Sequence, residues 1–331
     1  MNIEIKHSLV LSIHYRDDYV VRKRKEMNQT QTAEKAEFSI HPATRIGVVS
    51  LRVEDLENQL AFYQQVLGFQ LHWREGNKVG LGAGGADLLH LTEEPNLKRY
   101  SGVTGLYHFA VLFPNRRELA RAIARLIVLK YPNYPTDHIM TKTTYLDDPE
   151  GNGIELYCES PEDGTWTLAN GVYETRRADG SISDGREPLD VNALLTHLKE
   201  DDRLDVSIPP ETRVGHIHLH VRNIDEAVDF YHGLIGFDIM GVARPFRMAF
   251  VSAGGYHHHV GLNTWQGEGA PPPPADALGL RYFAVELPDQ KALEEVTARV
   301  KTAGIPANQT EDGLLLYDPS QNGVILTTPK K

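Results

Sequence analysis

Apolar residues recur along this chain in two rhythms. Short stretches in which every second residue is apolar read as strands: Val48 to Val53, Tyr107 to Phe113, His216 to Val221 and Arg281 to Leu287. After each comes a segment of helical period, such as Leu56, Leu60, Phe62, Tyr63 and Leu67 after the first. An Asp or Asn opens each of these segments (Asp55, Asn115, Asn223, Asp289), and short polar side chains of this kind cap helix N-termini. Gly68 and Gly236 are placed as helix stops. Three further short strands, separated by glycine-rich turns at Gly82 to Asp87, Gly151 to Gly153 and Gly254-Gly255, complete the order β-α-β-β-β.

The order repeats because the sequence repeats. RIGVVSLRVEDLENQLAFYQQVLGF (Arg45 to Phe69) aligns without a gap on RVGHIHLHVRNIDEAVDFYHGLIGF (Arg213 to Phe237). GLYHFAVLFP from Gly105 pairs with GLRYFAVELP from Gly279, and DPEGNGIEL from Asp148 with DPSQNGVIL from Asp318. Four related units follow, A, B, A′ and B′, and the fold class is α+β. Residues 1–40 read as a polar arm, within which Met27 is an alternative start. Residues 41–158 carry A and B, 159–212 a linker with a helix near Val191 to Lys199, and 213–331 carry A′ and B′. Pro271 to Pro274 is a rigid spacer between the last two units.

Composition narrows the class. With 331 residues, 41% apolar and 24% charged, the chain has enough apolar material for about two cores. A net charge of −11 argues against a general nucleic-acid binder. No apolar run reaches about 18 residues, so no membrane-spanning helix is expected. The N-terminus lacks the basic start and apolar core of a secretory signal, and the expected location is the cytoplasm. Cys158 is the single cysteine, which excludes an internal disulfide and a cysteine-rich zinc site.

The placement of the histidines carries the chemistry. Alternation puts His216, His218 and His220 on one strand face, where unit A has Val48, Ser50 and Arg52. Unit B has His108 where B′ has Tyr282, and Glu155 where B′ has Ile325. Two histidines and one carboxylate on three strands, each absent from its sister unit, are a ligand set for a divalent metal with open positions, most often Fe(II). This set also predicts topology. If A paired with B and A′ with B′, the three groups would be split between two cups. Pairing B with A′ and A with B′ collects them in one cup and leaves Val48, Tyr282 and Ile325 in the other. The expected architecture is therefore two open-barrel, cup-shaped mixed sheets with outer helices.

These residues resemble the vicinal oxygen chelate superfamily, and within it the extradiol ring-cleavage dioxygenases of the catechol 2,3-dioxygenase kind, over roughly residues 40 to 329. The most specific stretch is Thr136-Asp-His138 followed, after five residues, by Thr144-Tyr145-Leu-Asp-Asp148-Pro149-Glu-Gly151-Asn-Gly-Ile-Glu155. Thr144 departs from it, since the family carries an apolar residue there. Tyr256-His257-His258-His259-Val-Gly-Leu is similar to the strand that carries the family's acid–base histidine, and alternation sets His258 on the face opposite His257 and His259. The resemblance implies Fe(II), with Mn(II) as the alternative, held by His108, Glu155 and His216. It implies His258 as the proton-transfer residue, and Tyr145 and His138 as hydrogen-bonding partners of the substrate. The implied reaction is cleavage of a small aromatic diol by dioxygen to a 2-hydroxymuconic semialdehyde-type product. A hydroquinone-cleaving dioxygenase, a glyoxalase-type isomerase and a non-catalytic aromatic-binding protein are the alternatives. Homo-oligomers are common among such enzymes. His218 and Trp265 are candidates for the cup lining, and His90 and His220 read as structural.

Overall fold

The computed structural model describes residues 38–169 and 172–329. The first 37 residues of the polar arm lie outside the described residues. Two mixed sheets carry the fold. One runs in the order Glu187–Pro188, Tyr134–Asp137, Thr141–Asp147, Gly153–Glu159, Gly105–Leu112, Arg213–His220, Val260–Asn263, Met248–Ser252 and Asp238–Ala243, so units B and A′ share it. The other joins B′ to A through the antiparallel pair Gly279–Glu286 and Arg45–Val53. Units 2 and 3 pair, and units 1 and 4 pair, as the ligand-collecting argument requires.

Each opening strand has two faces with separate tasks. Ile217, Leu219 and Val221 are buried in the apolar core beneath the helices, while His216, His218 and His220 turn to the concave side. In unit A, Val49, Leu51 and Val53 form the core face. The four caps form as their residue types dictate: Asp55, Asn115, Asn223 and Asp289 each accept the N–H three residues on. The helix Arg116–Val128 buries Leu119, Ala120, Ile123, Ala124 and Leu126, a stripe of helical period.

The helices of units A and A′ are not uniform. Leu56–Ala61 and Ile224–Val228 are α-helical, and each then widens into a π-helical turn, Phe62–Val66 and Asp229–Ile235. The wider turns bury adjacent aromatic pairs, Phe62 with Tyr63 and Phe230 with Tyr231. The Tyr63 hydroxyl donates to Asp148 Oδ2 at 3.0 Å and Tyr231 to Asp318 Oδ2 at 3.1 Å. Each bond crosses from one sheet's units to the other's, so the halves are locked by two equivalent tyrosine–aspartate contacts.

The linker holds more structure than its composition predicts. Gly164–Ala169, Val172–Arg177 and Ile182–Ser183 form a small antiparallel sheet, and Glu187–Pro188 joins the edge of the nine-stranded sheet. Its helix is short, Val191–Leu195. Among the described residues no helix is long and apolar enough to cross a membrane.

Candidate metal centre

Three adjacent strands bring His108, Glu155 and His216 together. The Nε2 atoms of His108 and His216 each lie 3.1 Å from Glu155 Oε2 and 3.4 Å from each other. A metal ~2.1 Å from three ligands at right angles holds them about 3.0 Å apart, so the donor triangle fits a three-ligand face. The side chains are buried to 5%, 3% and 2% residual exposure. The remaining ring nitrogens, Nδ1 of both histidines, have no hydrogen-bond partner among the described residues.

Local sequence makes this convergence accessible. A Cβ at Gly153 would sit 2.1 Å from the Tyr107 carbonyl oxygen, so glycine lets the Glu155 strand lie against the His108 strand. The turn before it is built by Asp148, whose Oδ1 accepts the Glu150 and Asn152 N–H groups at 2.9 and 2.8 Å. Burial by itself would raise the Glu155 pKa. The two imidazoles outweigh it and hold the carboxyl well below its ordinary value. Burial lowers His216, against the pull of Glu155, and the neutral imidazole is the form that ligates.

Tyr145 lies opposite Glu155 in the strand register, with its ring 5.5 Å from that of His108. His138 Nε2 is 2.9 Å from the Tyr145 hydroxyl, and His138 Nδ1 is 2.6 Å from the Gly185 carbonyl. A carbonyl only accepts, so Nδ1 carries the proton, and in the neutral ring Nε2 accepts from Tyr145. Burial first, then the nearby Glu155, raises the Tyr145 phenol well above its ordinary value, so it stays a donor.

The histidine triplet departs from the strand reading. Tyr256 to His259 form an irregular turn ahead of the strand Val260–Asn263, and the positive φ of Gly254 and Gly255 breaks the alternation. His257 and His258 therefore share one side. The His258 ring is 4.2 Å from His216 and 4.7 Å from His257. His259 turns away and pairs with Ser252 Oγ at 2.8 Å. One nitrogen each of His216, His257 and His258 lie within 4.8 Å of one another, a second group with ligand potential that the alternation argument missed.

Around these groups stand aromatic walls. His218 packs on Tyr107 at 5.1 Å, His108 at 5.2 Å and Trp265 at 5.5 Å, and Phe250 lies 4.7 Å from His258. Alternation could find His218; nothing local in the sequence marks Tyr107 or Phe250 as lining. His220 bonds Asn263 and His90 bonds Asp87, consistent with structural roles. In the sister cup Val48 and Ile325 offer no ligand atom, and the Tyr282 hydroxyl is engaged by Asp312 at 2.6 Å.

The fold is built from repeated units, and this cluster offers three donors that could hold a metal ion. The family model described as "Glyoxalase/Bleomycin resistance protein/Dioxygenase superfamily" matches residues 45–156 and again 213–324, and the chain belongs to that superfamily. A relative in Bacillus subtilis (strain 168), "Catechol-2,3-dioxygenase", is 41% identical over 290 residues, 87% of this chain and 98% of the relative. This likeness makes the chain an enzyme of the dioxygenase kind. Among solved structures, a putative dioxygenase from Bacillus subtilis matches with a TM-score of 0.56 at 15% identity, covering 89% of this chain and 87% of that one. A point mutant of glyoxalase I from Zea mays matches at 0.50 and 14%, covering 86% and 92%. At these identities the two structures speak for the fold alone.

Proposed function

We propose that this chain is an Fe(II)-dependent extradiol dioxygenase that opens a catechol-type aromatic diol to a 2-hydroxymuconic semialdehyde-type product. The observation that carries the reading is the convergence of His108 Nε2, His216 Nε2 and Glu155 Oε2 within 3.4 Å inside an aromatic-walled cup. These three side chains would hold the iron, which when bound supplies the redox chemistry that joins dioxygen to a closed-shell diol. His258, whose ring centre is 4.2 Å from that of His216, would take a proton from a diol hydroxyl and return it. The Tyr145 hydroxyl donates to the substrate oxygen, and His138 positions it by accepting its proton in the resting state. Tyr107, Phe250, Trp265 and His218 pack against the ring and exclude water.

The test is loading with Fe(II) under argon, followed by catechol in air. A yellow ring-fission product supports the reading. Colourless turnover of the methylglyoxal–glutathione adduct without ring cleavage would overturn it in favour of an isomerase.

A further inference from the structure

We propose that Arg186, carried over the rim of the cup by the linker, selects diols bearing an anionic substituent, above all a carboxylate, at a distance from the two hydroxyls. This rests on the reading that the cup holds an aromatic diol and extends it to the substrate's substituents.

The linker is held to the rim at several points. Glu187–Pro188 pairs antiparallel with Tyr134–Asp137, with Glu187 opposite Asp137. Continued by one residue, that register sets Arg186 opposite His138, and residues facing each other across an antiparallel pair share a face. The Gly185 carbonyl accepts from His138 Nδ1 at 2.6 Å, and the Gly185 N–H donates to Ser183 Oγ at 3.0 Å. The Arg186 N–H donates to Asp184 Oδ1 at 2.9 Å. The backbone beneath the guanidinium is thus fixed to the residue that positions Tyr145.

Two neighbouring acids are already committed. Glu187 is held by Arg177 and Ser183, and Asp137 by Lys142 at 2.7 Å. Arg186 is exposed, and among the described residues no carboxylate forms an ion pair with it within 4 Å. Its position nevertheless adjoins the site: across the pair stands His138, whose Nε2 meets the Tyr145 hydroxyl at 2.9 Å.

An exposed guanidinium on the strand edge that faces His138, without an ion-pair partner, fits a planar oxyanion, which it meets with two parallel hydrogen bonds. The net charge of −11 disfavours anions at long range, but that field is screened beyond roughly 10 Å in salt, so a local cation decides what enters.

Two ligands of one skeleton provide the test: 3,4-dihydroxyphenylacetate and its uncharged counterpart 4-ethylcatechol. Each is titrated calorimetrically into metal-loaded protein under argon. The carboxylate ligand should bind about tenfold to a hundredfold tighter, the range of a charge-assisted pair. Arg186→Gln should bring the ratio near one, Arg186→Lys should keep part of it, and added salt should narrow it. Equal binding of both ligands by the unaltered protein, or a ratio that survives Arg186→Gln, overturns the proposal. A protein that shows the ratio yet opens neither ring in air overturns the dioxygenase reading and leaves the role of Arg186 standing.

Discussion

Removal of the Glu155 carboxylate discriminates between the two donor groups of the cup. In the proposed centre, Glu155 Oε2 is equidistant from both Nε2 atoms at 3.1 Å, so its loss leaves two imidazoles 3.4 Å apart and one corner of the ligand face empty. An ion that binds only the folded chain stabilises it by about 2.7 kcal/mol at a free concentration ~100 times its Kd. For a folded body of this size each kcal/mol moves Tm by roughly 2–4 °C, so metal should raise the melting point of the unaltered protein by about 5–10 °C. In Glu155→Ala that rise should fall to about 2 °C or less, with bound metal lost in parallel. The metal-free melting point of each variant is the baseline, because a buried carboxylate carries its own desolvation cost. The assay is scanning calorimetry of stripped and Fe(II)-loaded protein under argon, with metal analysis of the same samples. A full thermal rise and one bound equivalent in Glu155→Ala, lost instead in His257→Ala, would refute the reasoning and move the ion to His216, His257 and His258.

In the sister half, Asp87 accepts from Trp73 Nε1 at 2.6 Å and contacts His72 and His90 at 2.7 and 2.9 Å. Burial opposes its charge, but these bonds bring its pKa down to about 2 from 3.8, worth about 1 kcal/mol once solvent screening of this half-exposed group is allowed for. A depressed carboxyl stabilises above the unfolded value and loses that contribution as pH falls toward 2. Asp87→Asn should therefore be less stable at pH 7 by about that amount in urea melts, and the gap should narrow as pH falls from about 4 toward 2; a gap constant with pH would be the contrary result. Tyr145→Phe should retain metal and lower kcat by about 10²-fold or more, since it deletes one donor and nothing of the ligand set; unchanged kcat would remove Tyr145 from the chemistry. Asn115→Ala deletes the cap of the helix Arg116–Val128, a bond of 3.1 Å to the Glu118 N–H, and should cost about 1 kcal/mol without altering metal content.

What the chain determined by itself is what near neighbours determine. Strand faces follow from alternation, as at His216 to Val221, and helix starts follow from side chains that reach three residues ahead, as at Asn115 and Asp289. The partnership of B with A′ was legible for a different reason: only that pairing lets three groups missing from the sister units meet. Tertiary structure decided the rest. His257 and His258 came to one side because glycines in the left-handed region end the alternation before the strand begins. The π-turns of units A and A′ accompany buried hydroxyls satisfied by an aspartate of another unit, which no local pattern encodes. Gly185 lies against the site because its carbonyl is held by a histidine 47 residues away. Periodicity records contacts within a turn or a strand; register, turn handedness and long-range hydrogen bonds exist only once distant segments have been packed together.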